Sequence, residues 1–240
     1  SKANDLDDSE EVAWVCSVGK ATAIGKQNEV QVWTRTKQGR VRVGRFRAKD
    51  DDVMVEGGFR YAAWEPKQRA LVVCTSGGVV YVLSLSEDAR RDATGGSCPG
   101  SRFPAVDVGV RARFDCSGVL PTALLVDEKT ILLGCADGAL VSYNWDGYQK
   151  SKLSLLPPGE DLDAHEPWLN NQSVQTLQYC RSRRTLLILL KNGMCALYMF
   201  SSDGLRLKSS SSSFCWVLAP RSETITAASL SPESHTLALG

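Results

Sequence analysis

The sequence predicts an all-β chain, a WD40-like β-propeller that is incomplete, with about four full blades and a truncated fifth. Three observations carry this: a three-strand pattern that recurs, a fixed register within it, and a middle strand apolar on both faces. The clearest copy, Arg60 to Ser86, reads RYAAWEPKQRALVVCTSGGVVYVLSLS. A first strand ends at Trp64, Glu65 to Arg69 turn the chain, Ala70 to Cys74 form an apolar strand, and Gly77-Gly78 turn into a third strand, Val79 to Leu85. Glycine supplies the positive φ that a short hairpin requires.

The other copies keep the register. A small residue sits six places after the residue that closes the first strand, and the second turn sits fourteen places after it. Trp64 leads to Ala70 and Gly78, Leu124 to Thr130 and Gly138, Tyr179 to Thr185 and Gly193, and Val15 to Ala21 and Glu29 beside Asn28. Leu230 leads to Thr236, four residues before Gly240. The five anchors are 49, 60, 55 and 51 residues apart, somewhat above the roughly 40–45 residues of a WD-type blade. The middle strands ALVVC, TILLGC and TLLILL are nearly continuous apolar runs. Such runs belong to strands covered on both faces, as blades stacked about an axis are. An irregular β-sandwich is the competing arrangement.

In chain order, residues 1–10 read as an acidic lead-in, and the repeat units span about 11–59, 60–118, 119–172, 173–224 and 225–240, the last truncated. Propellers usually close with about 4–8 blades, so the sequence is expected to be a piece of a longer ring. In the first unit Val30 to Trp33 form the third strand. Gly39 to Arg47, GRVRVGRFR, then alternates basic with apolar residues as an outer strand protected by charge. Arg40, Arg42, Arg45 and Arg47 are expected to face water, Val41, Val43 and Phe46 to face inward, and Gly44 to mark a bulge. These four arginines are the candidate patch for an acidic partner or for lipid headgroups, set against the simpler reading of a solvated edge.

After Ser86, residues 87–118 with GGSCPG (Gly95 to Gly100) are expected to be a loop insertion. The third unit turns at Asp137-Gly138 and leaves its third strand at Asp146-Gly147, and residues 148–170 form a polar connection. The fourth turns at Asn192-Gly193, a strong hairpin signal, with Arg181, Arg183 and Arg184 as a solvated tip. Ser209 to Ser213 read as a connector before a buried outer strand at Phe214 to Leu218.

Composition is that of an ordinary globular chain, with 43% hydrophobic and 23% charged residues. A net charge of +1 gives no basic excess of the kind nucleic-acid binders carry. The longest aliphatic run, Leu186 to Leu190, is far below the ~20 residues that span a bilayer. Residues 4–11 (NDLDDSEE) are too acidic for a signal peptide. The 8 cysteines are scattered, with no CxxC and no zinc-like spacing, which points to a reduced cytosolic compartment. In that setting the Asn171-Gln172-Ser173 acceptor is unused.

No catalytic, cofactor or metal motif survives inspection. The two histidines, His165 and His235, fall in polar turns. Gly19 and Gly25-Lys26 stand one residue too far apart for a phosphate loop, and Gln27 replaces its Ser or Thr. Ser97 is not centred in a nucleophile elbow, and the acidic runs lack calcium-loop order.

Four segments together point to a family: EGGFRYAAWEPKQRALVVCTSGGVVYVLSL, CADGALVSYNWDG, VQTLQYCRSRRTLLILLKNGMCALYMF and ITAASLSPESHTLALG. In this order they resemble the N-terminal propeller of the Ric-one family, across roughly Glu11 to Gly240. That family provides the larger subunit of the Ric-one/Rgp-one complex, a guanine-nucleotide exchange factor for a Golgi Rab GTPase. The chain departs from it in its opening segment and in a shorter, glycine-rich connection after Ser86. The resemblance implies a non-catalytic scaffold that helps load GTP onto a Golgi Rab during endosome-to-Golgi retrieval. Its partners would be an arrestin-like second subunit and the GTPase, with peripheral contact at Golgi membranes and no small-molecule substrate or nucleic acid. A vesicle-coat or ubiquitin-ligase receptor subunit is the alternative.

Overall fold

The computed structural model describes residues 11–37, 39–67, 69–86, 107–116, 118, 120–155, 172–200, 205, 207, 214–217, 225–231 and 237–240. The fold is all-β and of the propeller class. Four sheets are four-stranded antiparallel meanders, each with its strands in chain order. Blade 1 holds β1 (Trp14–Val18), β2 (Ala21–Gly25), β3 (Glu29–Thr36) and β4 (Gly39–Arg47). A short helix, α1 (Asp50–Glu56), leads to blade 2, with β5 (Phe59–Trp64), β6 (Ala70–Thr75), β7 (Val79–Ser86) and β8 (Asp107–Asp115). Blade 3 holds β9 (Pro121–Val126), β10 (Ile131–Cys135), β11 (Ala139–Tyr143) and β12 (Gln149–Ser154). Blade 4 holds β13 (Val174–Cys180), β14 (Thr185–Leu190), β15 (Cys195–Met199) and β16 (Phe214–Val217). A two-stranded sheet follows, β17 (Ala228–Leu230) and β18 (Leu237–Leu239). The chain divides into two compact units, residues 1–115 and 116–240.

The repeat register emerges in the backbone. Gly78, Gly138 and Gly193, each fourteen places after its anchor, have φ of 95°, 77° and 84°, the left-handed region that L side chains adopt at a cost. Each strand pair then assembles from local partners, such as Leu71 opposite Leu83 and Leu187 opposite Leu197.

In the first unit, blades 1 and 2 share one core. Leu71 and Val73 of β6, with Tyr81 and Leu83 of β7, pack with Ala23, Val30 and Val32 of blade 1. The Trp64 indole Nε1–H crosses between the blades and donates to the Cys16 carbonyl at 3.2 Å. On the other face of blade 2, Val72, Cys74, Val80 and Val82 are also fully buried. In the second unit, Leu186, Ile188 and Leu190 of β14 pack with Leu132 and Leu140 of blade 3. The intervening Leu187 and Leu189 pack with Ile225 and, beside it, Ala228 and Leu230 of the last sheet. TLLILL is thus buried on both faces, each such side chain contributing roughly 1.5–3 kcal/mol.

Where the blades approach, side chains shrink. A Cβ at Gly134 of β10 would overlap the Val174 side chain of β13. The Thr122 hydroxyl reaches the Val174 carbonyl at 2.7 Å.

Three segments differ from the sequence reading. Residues 107–115, expected to lie in a loop insertion, are β8, paired with β7 from Val79↔Asp115 to Ser86↔Asp107. Residues 149–154, expected to lie in a connection, are β12, paired with β11. Both are outer strands that use their partner's free hydrogen-bonding edge, so they need little apolar content of their own. The third difference is α1, where Asp50 to Asp52 supply the first turn of a helix that the sequence reading treated only as a lead-in. Acidic residues there complement the helix N-terminus. Residues 1–10, 95–100, 165, 171, 209–213 and 235 lie outside the described residues.

Candidate interaction surface

The candidate patch is built on β4, and its chemistry follows from one extra residue. Arg40 lies opposite Arg35, Arg42 opposite Trp33, Arg45 opposite Gln31 and Arg47 opposite Glu29. The register shifts between Val32 and Trp33, whose partners are Gly44 and Arg42, so Val43 is the inserted residue. Strand side chains alternate faces with period two, which would send Arg42 and Arg45 to opposite sides. The bulge resets the alternation and brings all four arginines to one face. Arg40, Arg42, Arg45 and Arg47 are exposed, while Val41, Val43 and Phe46 are half-buried, as the sequence led one to expect.

The four are not equivalent. Arg45 pairs with Glu29 at 2.5 Å, and Gln31 Nε2–H donates to the same carboxylate at 2.7 Å. Glu29 is only 7% exposed, so this pair neutralises a carboxylate sunk into the sheet face. Arg47 stands 3.9 Å from Asp50, whose carboxylate also accepts a hydrogen bond from Asn28 Nδ2 at 3.1 Å. No ion pair among the described residues involves Arg40 or Arg42.

A second polar cluster lies where α1 meets blade 2. Glu56, 6% exposed, accepts the Tyr81 hydroxyl at 2.6 Å and pairs with Arg113 of β8. Arg113 Nε–H also donates to the Tyr81 oxygen at 3.3 Å. Burial, reinforced by the Asp52 charge, raises the Tyr81 phenol above its ordinary value. The geometry is that of a clasp: a buried carboxylate, satisfied by a phenol and a guanidinium, pins the connection between blades. The sequence alone does not reveal it, because the polar, glycine-rich stretch before Arg113 reads as a loop and hides β8. Alternation in VRARF is the signal that could have found it.

In the second unit the tip arginines are exposed as expected, and Arg181 reaches Glu128 of blade 3 at 3.3 Å. No helix among the described residues is long and apolar enough to cross a membrane. Among the same residues no group of three or more His, Cys, Asp or Glu could hold a metal ion. Comparison with protein-family models returns no match, and no curated protein matches the chain.

Proposed function

We propose that this chain is a non-catalytic propeller scaffold of a Rab guanine-nucleotide exchange factor subunit of the Ric-one type, acting in endosome-to-Golgi retrieval. The observation that supports the reading is one of order. The segments that resemble the family supply strands of consecutive blades: β5 to β7 of blade 2, β11 and the end of β10 in blade 3, β13 to β15 of blade 4, and β17 and β18 of the last sheet. Exchange needs no covalent step. A partner surface that prefers the nucleotide-free GTPase shifts the population toward it, and the exposed turns of packed sheets suit the holding of such a partner.

The test is affinity capture of the full-length protein, followed by a nucleotide-release assay with the captured complex. The reading expects an arrestin-like subunit and a Golgi Rab in the capture, and faster GDP release in their presence. Capture of neither partner overturns it. A generic WD-repeat interaction scaffold is the second reading, favoured by one observation: the resembling segments lie in strands and turns that any blade requires. Recovery of coat or ubiquitin-ligase subunits instead would select it.

A further inference from the structure

We propose that one end of blade 1 is a docking rim for an anionic membrane surface, formed by Lys20, Arg35, Lys37, Arg40 and Arg42. In an antiparallel meander the β1–β2 and β3–β4 turns lie at the same end, and here they are joined: Arg35 N–H donates to the Lys20 carbonyl at 2.9 Å. All five cations are exposed, and no ion pair among the described residues involves any of them.

The acids of the blade stand at the other end. Glu29 lies opposite Arg47 at the far end of β4, and Asp50 to Asp52 follow in α1. Glu11 lies two residues before Ala13, whose N–H donates to the Gly25 carbonyl at that same far end. Among the described residues the acids are therefore confined to the far end, where Arg45 and Arg47 pair with them, and the near end holds cations without acids. Arg35 and Arg40 are moreover direct cross-strand partners, and like charges so placed destabilise a sheet. A fold that only needed a solvated edge would gain by exchanging either one.

The form of the rim selects the occupant. Its cations stand on two turn tips and the outer hairpin, so a flat, diffuse negative surface can meet them together. An acidic peptide that added as a strand to β4 would meet an edge that the Val43 bulge makes a poor template. Each Lys or Arg brought close to an anionic leaflet strengthens adsorption by roughly fivefold. This inference does not rest on the exchange-factor reading, since vesicle binding needs neither GTPase nor second subunit.

The experiment is co-sedimentation of the full chain with vesicles of phosphatidylcholine alone or with phosphatidylserine added. At ~0.1 M salt, where the Debye length is about 10 Å, the protein should pellet with the anionic vesicles only, and ~1 M salt should release it. Arg35→Gln, Arg40→Gln and Arg42→Gln together should weaken binding roughly a hundredfold, while the corresponding triple change to Lys should retain it. The Lys triple guards against a loss caused by misfolding. Lys49→Gln, at the far end of β4 and beyond a Debye length, should change binding less than about twofold. Equal pelleting with both vesicle types, or no pelleting with the anionic ones, overturns the proposal. So does a Lys triple as weak as the Gln triple, or a Lys49 variant as weak as the Gln triple. Retention on polyglutamate without binding to anionic vesicles would assign the rim to an acidic protein and also overturn it.

Discussion

Cys16, Cys135 and Cys195 show how burial dominates thiol chemistry in this chain, with the Asp137 charge adding to it at Cys135. Loss of hydration pushes their thiols up, to about 12, about 12 and about 11. The Cys180 thiol moves down, chiefly through its hydrogen bond with the Ser182 hydroxyl at 3.3 Å, yet it is buried, whereas Cys215 is exposed. The thiolate is the reactive form. Iodoacetamide near neutral pH should therefore label Cys215 well ahead of Cys135 and Cys195, which should react only on unfolding; peptide mass spectrometry reads the order. The pH consequence has a definite sign. The raised thiols hold their protons in the folded chain after the unfolded chain has released them near pH 9. Stability from this source is fully present below the unfolded value and falls as pH rises through the folded ones. Melting temperature should drop between about pH 9 and pH 11, less steeply in Cys135→Ala; a flat profile would refute the account. The clasp is a residue-scale device too. Glu56→Ala strands the buried Tyr81 hydroxyl and should cost about 1–3 kcal/mol, less than a fully buried ion pair because Arg113 is half in water. Glu56→Gln, which still accepts from Tyr81, should cost less in the same urea titration.

At the scale of the strand and turn, much was legible in the letters and some was not. The turns could be read because glycine has few rivals at positive φ, and Gly78, Gly138 and Gly193 recur at a constant offset. Replacing any one with Ala should cost about 1–2 kcal/mol, measurable by thermal melts. Gly134 was not legible as a contact, since nothing local announces Val174 forty residues on. Gly134→Val should destabilise more than any turn substitution, because it forces β10 from β13. The outer strands divide. β4 was readable by its alternation. β16 (Phe214–Val217) was expected as a buried strand to Leu218, but its Cys215 is exposed and Leu218 lies outside the described residues. β8 and β12 hid in polar sequence. DVGVRARFD and QKSKLS satisfy only one neighbour, so their composition resembles that of loops. The patch was half legible for a related reason. Sequence alone aligned Arg40, Arg42, Arg45 and Arg47, but only pairing across the sheet gives Arg45 to Glu29, gives Arg47 to Asp50, and sets Arg35 beside Arg40.

For the molecule as a whole, the middle strands make the architecture cooperative within each unit. A sheet wet on one side would lose little from truncating its outward residues. Here Leu187 and Ile188 face different clusters and both are fully buried. Leu187→Ala and Ile188→Ala should each cost about 2–5 kcal/mol in denaturant titration; a loss below about 1 kcal/mol for either would mean that its face is open to water. Three of the outer strands, β4, β8 and β12, also carry a register shift against their inner neighbours. Irregular edges of this kind discourage chain-to-chain pairing.

The doubly buried strand has one more effect, on how the hairpin finds its alignment. Sliding TLLILL by one residue exchanges the two sets of leucine and isoleucine between faces, and the oily contacts hardly notice. Side-chain hydrophobicity, which usually penalises such a slip, is silent here. The choice falls to the Asn192-Gly193 turn and to the irregularity between Val174 and Thr176, which act as the two pins that stop the ribbon from sliding.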